Sequence, residues 1–263
     1  TRTLGQMPAN VIAQGARAAR QEQEAQRTEI PVRALLNQLP RVLTAHDQGA
    51  FPTHWAACLY GGSPALHHRL SHLLAAFSGT INAPSALTLP AEPARREWTL
   101  SSDSHDHALL IFCPLNTKTA PTLAAWQLLA MFYEPRFFQR LRVEMNIGYV
   151  VSCRFHHSAD HPGMLFALQS PHLTAAQLLR HTHDFLDSMT AELAALPADA
   201  LTAHQDALLA QQHPADNLTD RAWAAWKNLS LPETVIRRLA QTQLFNAHKI
   251  LISQHVEWVV LSH

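Results

Sequence analysis

FFQRLRVEMNIGYVV, residues 137–151, joins two kinds of local pattern within a single short stretch. Its first part has the spacing of an amphipathic helix that carries Arg142, and it runs through Ile147, Gly148 and Tyr149 into β-branched residues typical of a strand. A guanidinium and a phenol therefore lie seven residues apart, at the end of a helix and the start of a strand. Both groups can donate hydrogen bonds to peptide carbonyls, which makes this stretch the first candidate for a binding site.

The pattern on either side of this stretch predicts one complete domain. Strands are predicted at 96–101, 107–113, 149–155, 164–169 and 257–261, and helices at 119–132, 134–145 and 174–196 and after Pro197, Asn217 and Pro232. The strands 149–155 and 164–169 form a hairpin whose loop is 156–162. Because strands and helices alternate without strict βαβ order, the predicted fold class is α+β, with an antiparallel-rich sheet packed by helices.

The first third of the chain predicts an incomplete domain. It contains helices at 5–28 and 31–39, a buried strand at 54–60, and a helix that Ser63 and Pro64 begin and that runs to about residue 77. One strand cannot make an independent sheet. We therefore expect residues 1–85 to complete a domain begun outside this sequence, with 86–96 as a linker rich in proline and 97–263 as the complete domain. The chain begins at Thr1 rather than Met, from which we expect processing, cleavage or truncation.

Composition excludes several classes of protein. Charged residues make up 15% of the chain, with 20 basic and 20 acidic side chains, so there is no basic stripe for nucleic acid or for an anionic membrane. Apolar stretches fall short of the roughly 20 residues that span a bilayer. Three cysteines, Cys58, Cys113 and Cys153, lie in apolar runs and are expected to be buried free thiols in a reducing compartment.

The order of elements and the L-R-x-x-x-x-x-G-Y spacing of Leu141 to Tyr149 resemble the C-terminal, non-zinc half of the pitrilysin/insulysin family of zinc metallopeptidases. The zinc motif of that family, H-x-x-E-H, does not occur in the 263 residues. The resemblance implies that residues 1–85 are the end of a third α+β domain and that 97–263 are a fourth. The Ala-, Gln- and His-rich end of the chain from near Ala191 resembles a compact bacterial type within the family.

The resemblance also implies roles for two side chains. Arg142 would hydrogen-bond backbone carbonyls of a bound peptide, and Tyr149 would project into the zinc cleft of the other half and donate to the oxygen on which charge develops. Gly148 would allow a close backbone approach or a positive φ. Asn146 stands where the family commonly has Gln, and its amide is shorter. Without the resemblance, Arg142 is a solvated helix arginine and Tyr149 a packed strand tyrosine.

The 18 histidines raise the possibility of a metal site in this chain. His68 and His72 have the i, i+4 spacing of two zinc ligands, but no glutamate base lies between them and no third ligand is evident. Surface histidines in place of Lys or Gln are the simpler interpretation. We therefore predict no metal ligands in this chain, and any zinc is expected to be held by the catalytic half outside it.

What the resemblance implies overall is a clamshell. An N-terminal catalytic half carrying H-x-x-E-H, from the same polypeptide or a second chain, would hold zinc, and this half would close over a small peptide substrate. The expected substrate is the precursor peptide in pyrroloquinoline quinone biosynthesis, and the expected location is the bacterial cytoplasm. Two alternatives stay open: a non-catalytic scaffold or peptide-binding subunit of a related two-chain complex, and a stand-alone binding module.

Overall fold

The computed structural model describes residues 9–44, 62–75, 95–158, 161–211, 231–254 and 257–262. The helices are α1 (Ala9–Thr28), α2 (Pro31–Thr44), α3 (Pro64–Ala75), α4 (Ala120–Phe137), α5 (Ala175–Ala194), α6 (Ala198–Gln211), α7 (Glu233–Arg237) and α8 (Gln241–Ile252). The strands are β1 (Arg96–Leu100), β2 (His107–Pro114), β3 (Val150–Ser158), β4 (His161–Ser170) and β5 (Trp258–Ser262). The predicted strand 54–60 and the helix predicted after Asn217 lie outside the described residues.

The five strands form one sheet in the order β1-β5-β2-β4-β3. β2 pairs antiparallel with β4 and β5, and β3 pairs antiparallel with β4; the remaining pair of the described strands, β1–β5, is parallel. This confirms the predicted α+β class and its antiparallel-rich sheet. Because β2 is central, both of its edges are paired and both of its faces are available for packing.

Alternate residues of β2 enter two separate cores. Leu109, Ile111 and Cys113 face helices α4 to α8, within the larger cluster of buried side chains. Leu110 and Phe112 face the opposite side, where the buried residues of α2 cover the sheet. The period-2 alternation of a strand thus buries both faces, and the domain has three layers: α2, the sheet, and the packed helices α4 to α8.

Two compact units are separable by their internal contacts. One comprises residues 25–46, 88–213 and 231–263, and the other comprises 1–24, 47–87 and 214–230. Residues 31–39 were expected in the first domain, but α2 covers the sheet of the larger unit, with Leu35 and Leu39 fully buried there. The predicted linker at 86–96 and the third- and fourth-domain assignments stay predictions.

The prediction of two helices over 119–145 is wrong. α4 continues through Pro135 as far as Phe137, and a π-helical turn, Phe138–Glu144, follows without a break. Pro135 removes one backbone donor, but Phe132, Tyr133 and Phe137 are completely buried around it, and their packing keeps the helix continuous. Arg142 therefore lies in a π-helical turn rather than an α-helix.

The predicted hairpin is present, but its loop is shorter than expected. β3 reaches Ser158 and β4 begins at His161, so that His156 pairs with Gly163 and His157 with Pro162. Residues 156–158 and 161–162, expected as loop, are strand. Gly163 fits this pairing because a Cβ there would lie 2.7 Å from the Phe112 ring. No helix among the described residues has the length and apolarity to cross a membrane.

Candidate functional site

The π-helical turn presents Arg142 at its C-terminal end. Leu141 is buried and anchors the turn to the core, while Arg142 beside it is half-buried. Its Nη1 donates to Oδ1 of Asn146 at 3.3 Å. Asn146 has φ 49°, in the left-handed region that Asn tolerates better than most residues. The asparagine that departs from the family pattern is therefore in contact with Arg142 and also forms the bend that ends the turn.

After this bend the chain lies directly against the end of β4. The N–H of Ile147 donates to the carbonyl of Leu141 at 3.0 Å, and its own carbonyl accepts the Ser170 hydroxyl at 2.5 Å. A Cβ at Gly148 would lie 2.9 Å from the carbonyl carbon of Gln169 and 3.0 Å from Cα of Ser170. Gly148 is therefore required for a close backbone approach, which was one of the two expectations for it; it has no positive φ.

Tyr149 leaves this junction with its side chain 51% exposed. Its hydroxyl donates to Oδ2 of Asp106, which lies just before β2. The same phenol oxygen accepts Nε2 of Gln169, on β4, at 2.5 Å. Tyr149 is thus an accessible ring whose hydroxyl is held at the end of the sheet.

Charge and hydrogen bonding shift two pKa values in this cluster. The hydrogen bonds from Tyr149 and Gln169 lower the pKa of Asp106, and positive charge on His105 and His107 acts in the same direction, against the effect of burial. Burial raises the pKa of Tyr149, as does its bond to the Asp106 carboxylate, while Gln169 acts in the opposite direction. At neutral pH the proton therefore stays on the phenol and Asp106 is a carboxylate.

Gln169 is the fixed member of the cluster. It is 1% exposed, and its Nε2 also donates to Oδ2 of Asp106 at 2.9 Å. Its Oε1 accepts the backbone N–H of Val32, at the start of α2, at 3.2 Å. The Gln169 amide thus accepts through its oxygen and donates through its nitrogen, and it connects β4 to α2 and to Tyr149.

Arg142 and Tyr149 lie on either side of the same short junction, but each has its own partners. No hydrogen bond joins them within the described ranges. Asp106 and Gln169 were not predicted to belong to the site. Asp106 is 43 positions from Tyr149 along the chain and Gln169 is 20, and contacts at such separations leave no local pattern in a sequence. The only available signal was the polar character of Gln169, close to the end of a buried strand.

Apolar side chains surround the junction on its exposed side. Phe138, Val143 and Met145 are 49%, 55% and 44% exposed, although each is large and apolar. Phe138 also lines a surface cavity of about 390 Å³, together with Glu134, Pro135, Val151, Ser152 and Cys153. The site therefore combines hydrogen-bond donors with exposed apolar surface, as a peptide-binding surface requires.

The described residues contain no group of three or more His, Cys, Asp or Glu side chains placed to hold a metal ion. His68 and His72 are in edge-to-face contact with ring centroids 4.4 Å apart, and no third ligand joins them there. These residues do not fit the zinc that the family resemblance implies. Cys113 and Cys153 are buried free thiols, as expected, and burial raises the pKa of each. Cys58 lies outside the described residues.

Comparison with known proteins connects this site to a family. Residues 128–226 match a family model described as the C-terminal lobe domain 4 of PqqF-like PQQ synthases. The chain is 43% identical over 159 residues to coenzyme PQQ synthesis protein F of Klebsiella pneumoniae, and the matched segment covers 60% of this chain and 20% of that protein. It is 34% identical over 223 residues to the protein of the same name from Pseudomonas aeruginosa, covering 83% of this chain and 28% of the relative.

Among solved structures, the inactive domain of an M16 peptidase from Pseudomonas fluorescens superposes with a TM-score of 0.55 at 16% identity. That match covers 76% of this chain and 50% of the other, and it supports the fold alone. The chain spans only about a quarter of the length of the curated relatives named above. From the matched domain, the relatives and the shared fold, we conclude that this chain belongs to the pitrilysin/insulysin family, as a C-terminal, non-zinc part most like PQQ synthesis protein F.

Proposed function

We propose that this chain is the C-terminal part of a zinc metalloendopeptidase and that it encloses and positions a small peptide substrate. The observation that carries this proposal is the junction at 142–149, where an arginine of the π-helical turn and an exposed tyrosine after it accompany exposed apolar side chains. π-Helical turns occur frequently at functional sites. The zinc would be held by an N-terminal catalytic half carrying H-x-x-E-H, since the described residues offer no set of ligands for it.

Arg142 binds the peptide in this proposal. Its guanidinium has five N–H donors in a planar fork, and within the described residues a single hydrogen bond, to Asn146, uses one of them. The remaining donors suit the carbonyl oxygens of an extended peptide backbone. Because a backbone carbonyl away from the scissile bond keeps its shape throughout the reaction, Arg142 contributes to binding in the ground state and the transition state alike.

Tyr149 acts on the reacting carbonyl. Its hydroxyl has a single hydrogen, and its raised pKa keeps that hydrogen on the phenol at neutral pH. The hydroxyl is therefore a hydrogen-bond donor to an oxygen that gains negative charge as the peptide bond is broken. Gln169 donates to the phenol oxygen at the same time, which orients the hydroxyl and strengthens it as a donor.

The proposed substrate is the precursor peptide in pyrroloquinoline quinone biosynthesis, after its Glu–Tyr cross-link has formed. The names of the relatives support this choice, since both are PQQ synthesis proteins. We place the activity in the bacterial cytoplasm, where buried free thiols such as Cys113 and Cys153 stay reduced.

A second candidate is a non-catalytic peptide-binding or scaffold subunit. The exposed apolar side chains Phe138, Val143 and Met145 beside Arg142 suit this role, because they can contact a peptide with or without a catalytic half. In that case the same surface would bind peptide without completing a catalytic site. Peptide binding without any effect of Arg142 or Tyr149 on turnover would select this candidate.

The test is the kinetics of the full-length enzyme with Arg142 substituted. We expect Arg142→Ala to raise KM about tenfold, the low end for a hydrogen bond to a charged group, with a smaller change in kcat. Arg142→Lys keeps the charge without the planar fork, so its KM should lie between those of the wild-type and Arg142→Ala enzymes. Arg180→Ala, an exposed arginine on α5, is the control. An unchanged KM in Arg142→Ala would remove Arg142 from the binding site.

A further inference from the structure

Three side chains at the end of the sheet form one hydrogen-bonded cluster, which we call the phenol latch: Asp106, Tyr149 and Gln169. The directions of its bonds follow from the donors available. Ionised Asp106 can only accept, so the Tyr149 hydroxyl donates its one hydrogen to Asp106 Oδ2. Gln169 supplies both of its remaining bonds through Nε2, to the phenol oxygen at 2.5 Å and to Asp106 Oδ2 at 2.9 Å. In this arrangement Tyr149 has no hydrogen left for a substrate.

The two partners of Tyr149 differ in how firmly they are held. Gln169 is 1% exposed on β4, and its Oε1 accepts the Val32 N–H. Asp106 is half-buried in the connection between β1 and β2, where Ser104 Oγ accepts its backbone N–H at 3.1 Å. Turns of this kind are local and exposed, and they rearrange more easily than a strand buried on both faces.

We propose that Asp106 is a positioning residue that holds the Tyr149 hydroxyl in a closed state, and that a bound peptide carbonyl must displace it to receive the hydrogen. This inference rests on the proposed function of Tyr149. Gln169 keeps its bond to the phenol oxygen in both states, so the ring stays in place while the hydroxyl changes acceptor. The lowered pKa of Asp106 agrees with a carboxylate that competes for this hydrogen throughout the neutral range.

The closed state has a measurable consequence. An enzyme whose competent form is only partly populated shows a reduced apparent activity in proportion to that population. Removing the competing acceptor should therefore speed the reaction. We expect Asp106→Ala to raise kcat/KM of the full-length enzyme by about tenfold, the low end for a hydrogen bond to a charged group, because Asp106 is only half-buried. Asp106→Asn, a neutral acceptor of the same shape, should give a smaller rise.

The gain must depend on the hydroxyl. In the Tyr149→Phe enzyme, where no hydrogen is available to hold, Asp106→Ala should leave kcat/KM unchanged. Asp103→Ala, an exposed carboxylate in the same connection, is the matched control and should behave as wild type in both backgrounds. A fall or no change in kcat/KM for Asp106→Ala, or an equal rise with and without the hydroxyl, overturns the latch.

A second readout does not use activity. The ionisation of Tyr149 can be followed by NMR of the chain carrying ¹³C-labelled tyrosine rings, with Tyr60→Phe and Tyr133→Phe to assign the signals. The pKa of Tyr149 should fall in the Asp106→Ala protein and remain unchanged in the Asp103→Ala protein. If the Asp106→Ala protein has the same Tyr149 pKa as wild type, the latch is wrong.

The two proposals also fail separately. Wild-type kinetics in Tyr149→Phe alone refute the proposed role of Tyr149, whereas a slow Tyr149→Phe enzyme with no gain in Asp106→Ala refutes only the latch.

Discussion

Gly148→Ala is the substitution that the geometry of the junction opposes most directly. The added Cβ would lie 2.9 Å from the carbonyl carbon of Gln169 and 3.0 Å from Cα of Ser170, against a comfortable carbon–carbon distance of roughly 3.5–4.0 Å. Both neighbours are backbone atoms of β4, so no side-chain rotation relieves the contact. The junction must move away from the strand by several tenths of an ångström or more.

The cost can be worked out from two contributions. Overpacking a well-packed site costs about 1–3 kcal/mol. Movement of the junction also breaks the 2.5 Å bond from Ser170 to the Ile147 carbonyl, a buried hydrogen bond worth about 1 kcal/mol. We therefore expect the free energy of unfolding to fall by about 2–4 kcal/mol, and Tm by about 5–15 °C for a domain of this size.

Thermal unfolding followed by circular dichroism is the assay, and Gly15→Ala is the control. Gly15 lies in α1, and apart from its own helix backbone no atom of the described residues lies within 4 Å of an added Cβ, so alanine there should leave Tm unchanged or slightly raised. A Gly148→Ala protein that melts within about a degree of wild type would mean that β4 does not approach the junction as described.

Two further predictions concern buried groups of the core. The His248 ring is hydrogen-bonded to the Tyr133 hydroxyl at 2.5 Å and to the Thr190 hydroxyl at 2.8 Å, and its burial lowers its pKa. The folded protein therefore favours the neutral ring, and this contribution to stability is present above the unfolded pKa of about 6.5 and is lost as pH falls. Urea unfolding midpoints should therefore drop between pH 7.5 and 5.5, and an equally large drop in His248→Gln would contradict this cause. In a Cys58→Ser protein, the raised pKa and burial of Cys113 and Cys153 predict slow reaction with a thiol reagent before unfolding and fast reaction after it; rapid labelling of the folded protein would count against their burial.

Local signals predicted much of this fold because they act within a few residues. Thr174 begins α5 through a capping box with Gln177, and Ser63 accepts the Leu66 N–H at the start of α3, as their sequences indicate. A helix was predicted after Pro232, but the separate start of α8 was not, because its N-cap residue is Ala240, whose methyl group cannot cap a helix. Its start is instead marked by Gln243, whose side chain accepts the Ala240 N–H at 2.7 Å.

The errors share a physical cause: tertiary packing outweighed a local rule. Pro135 normally begins or breaks a helix, but Tyr133 and Phe137 are buried on either side of it and the helix continues. The site shows the same limit. Arg142, Gly148 and Tyr149 could be singled out from their spacing, whereas Asp106 and Gln169 reach Tyr149 only because the sheet brings β2 and β4 together at one end.

The central claim is that the Tyr149 hydroxyl acts in the transition state of peptide cleavage. Its most direct test is kcat of the full-length Tyr149→Phe enzyme on the peptide substrate, with thermal unfolding used to show that the ring and its packing are unchanged. Loss of one such donor costs about 10²–10³ in rate in other enzymes, and we expect about 10² here, with KM changed less. A Tyr149→Phe enzyme with the kcat of wild type would contradict the account and leave Tyr149 as a packing residue.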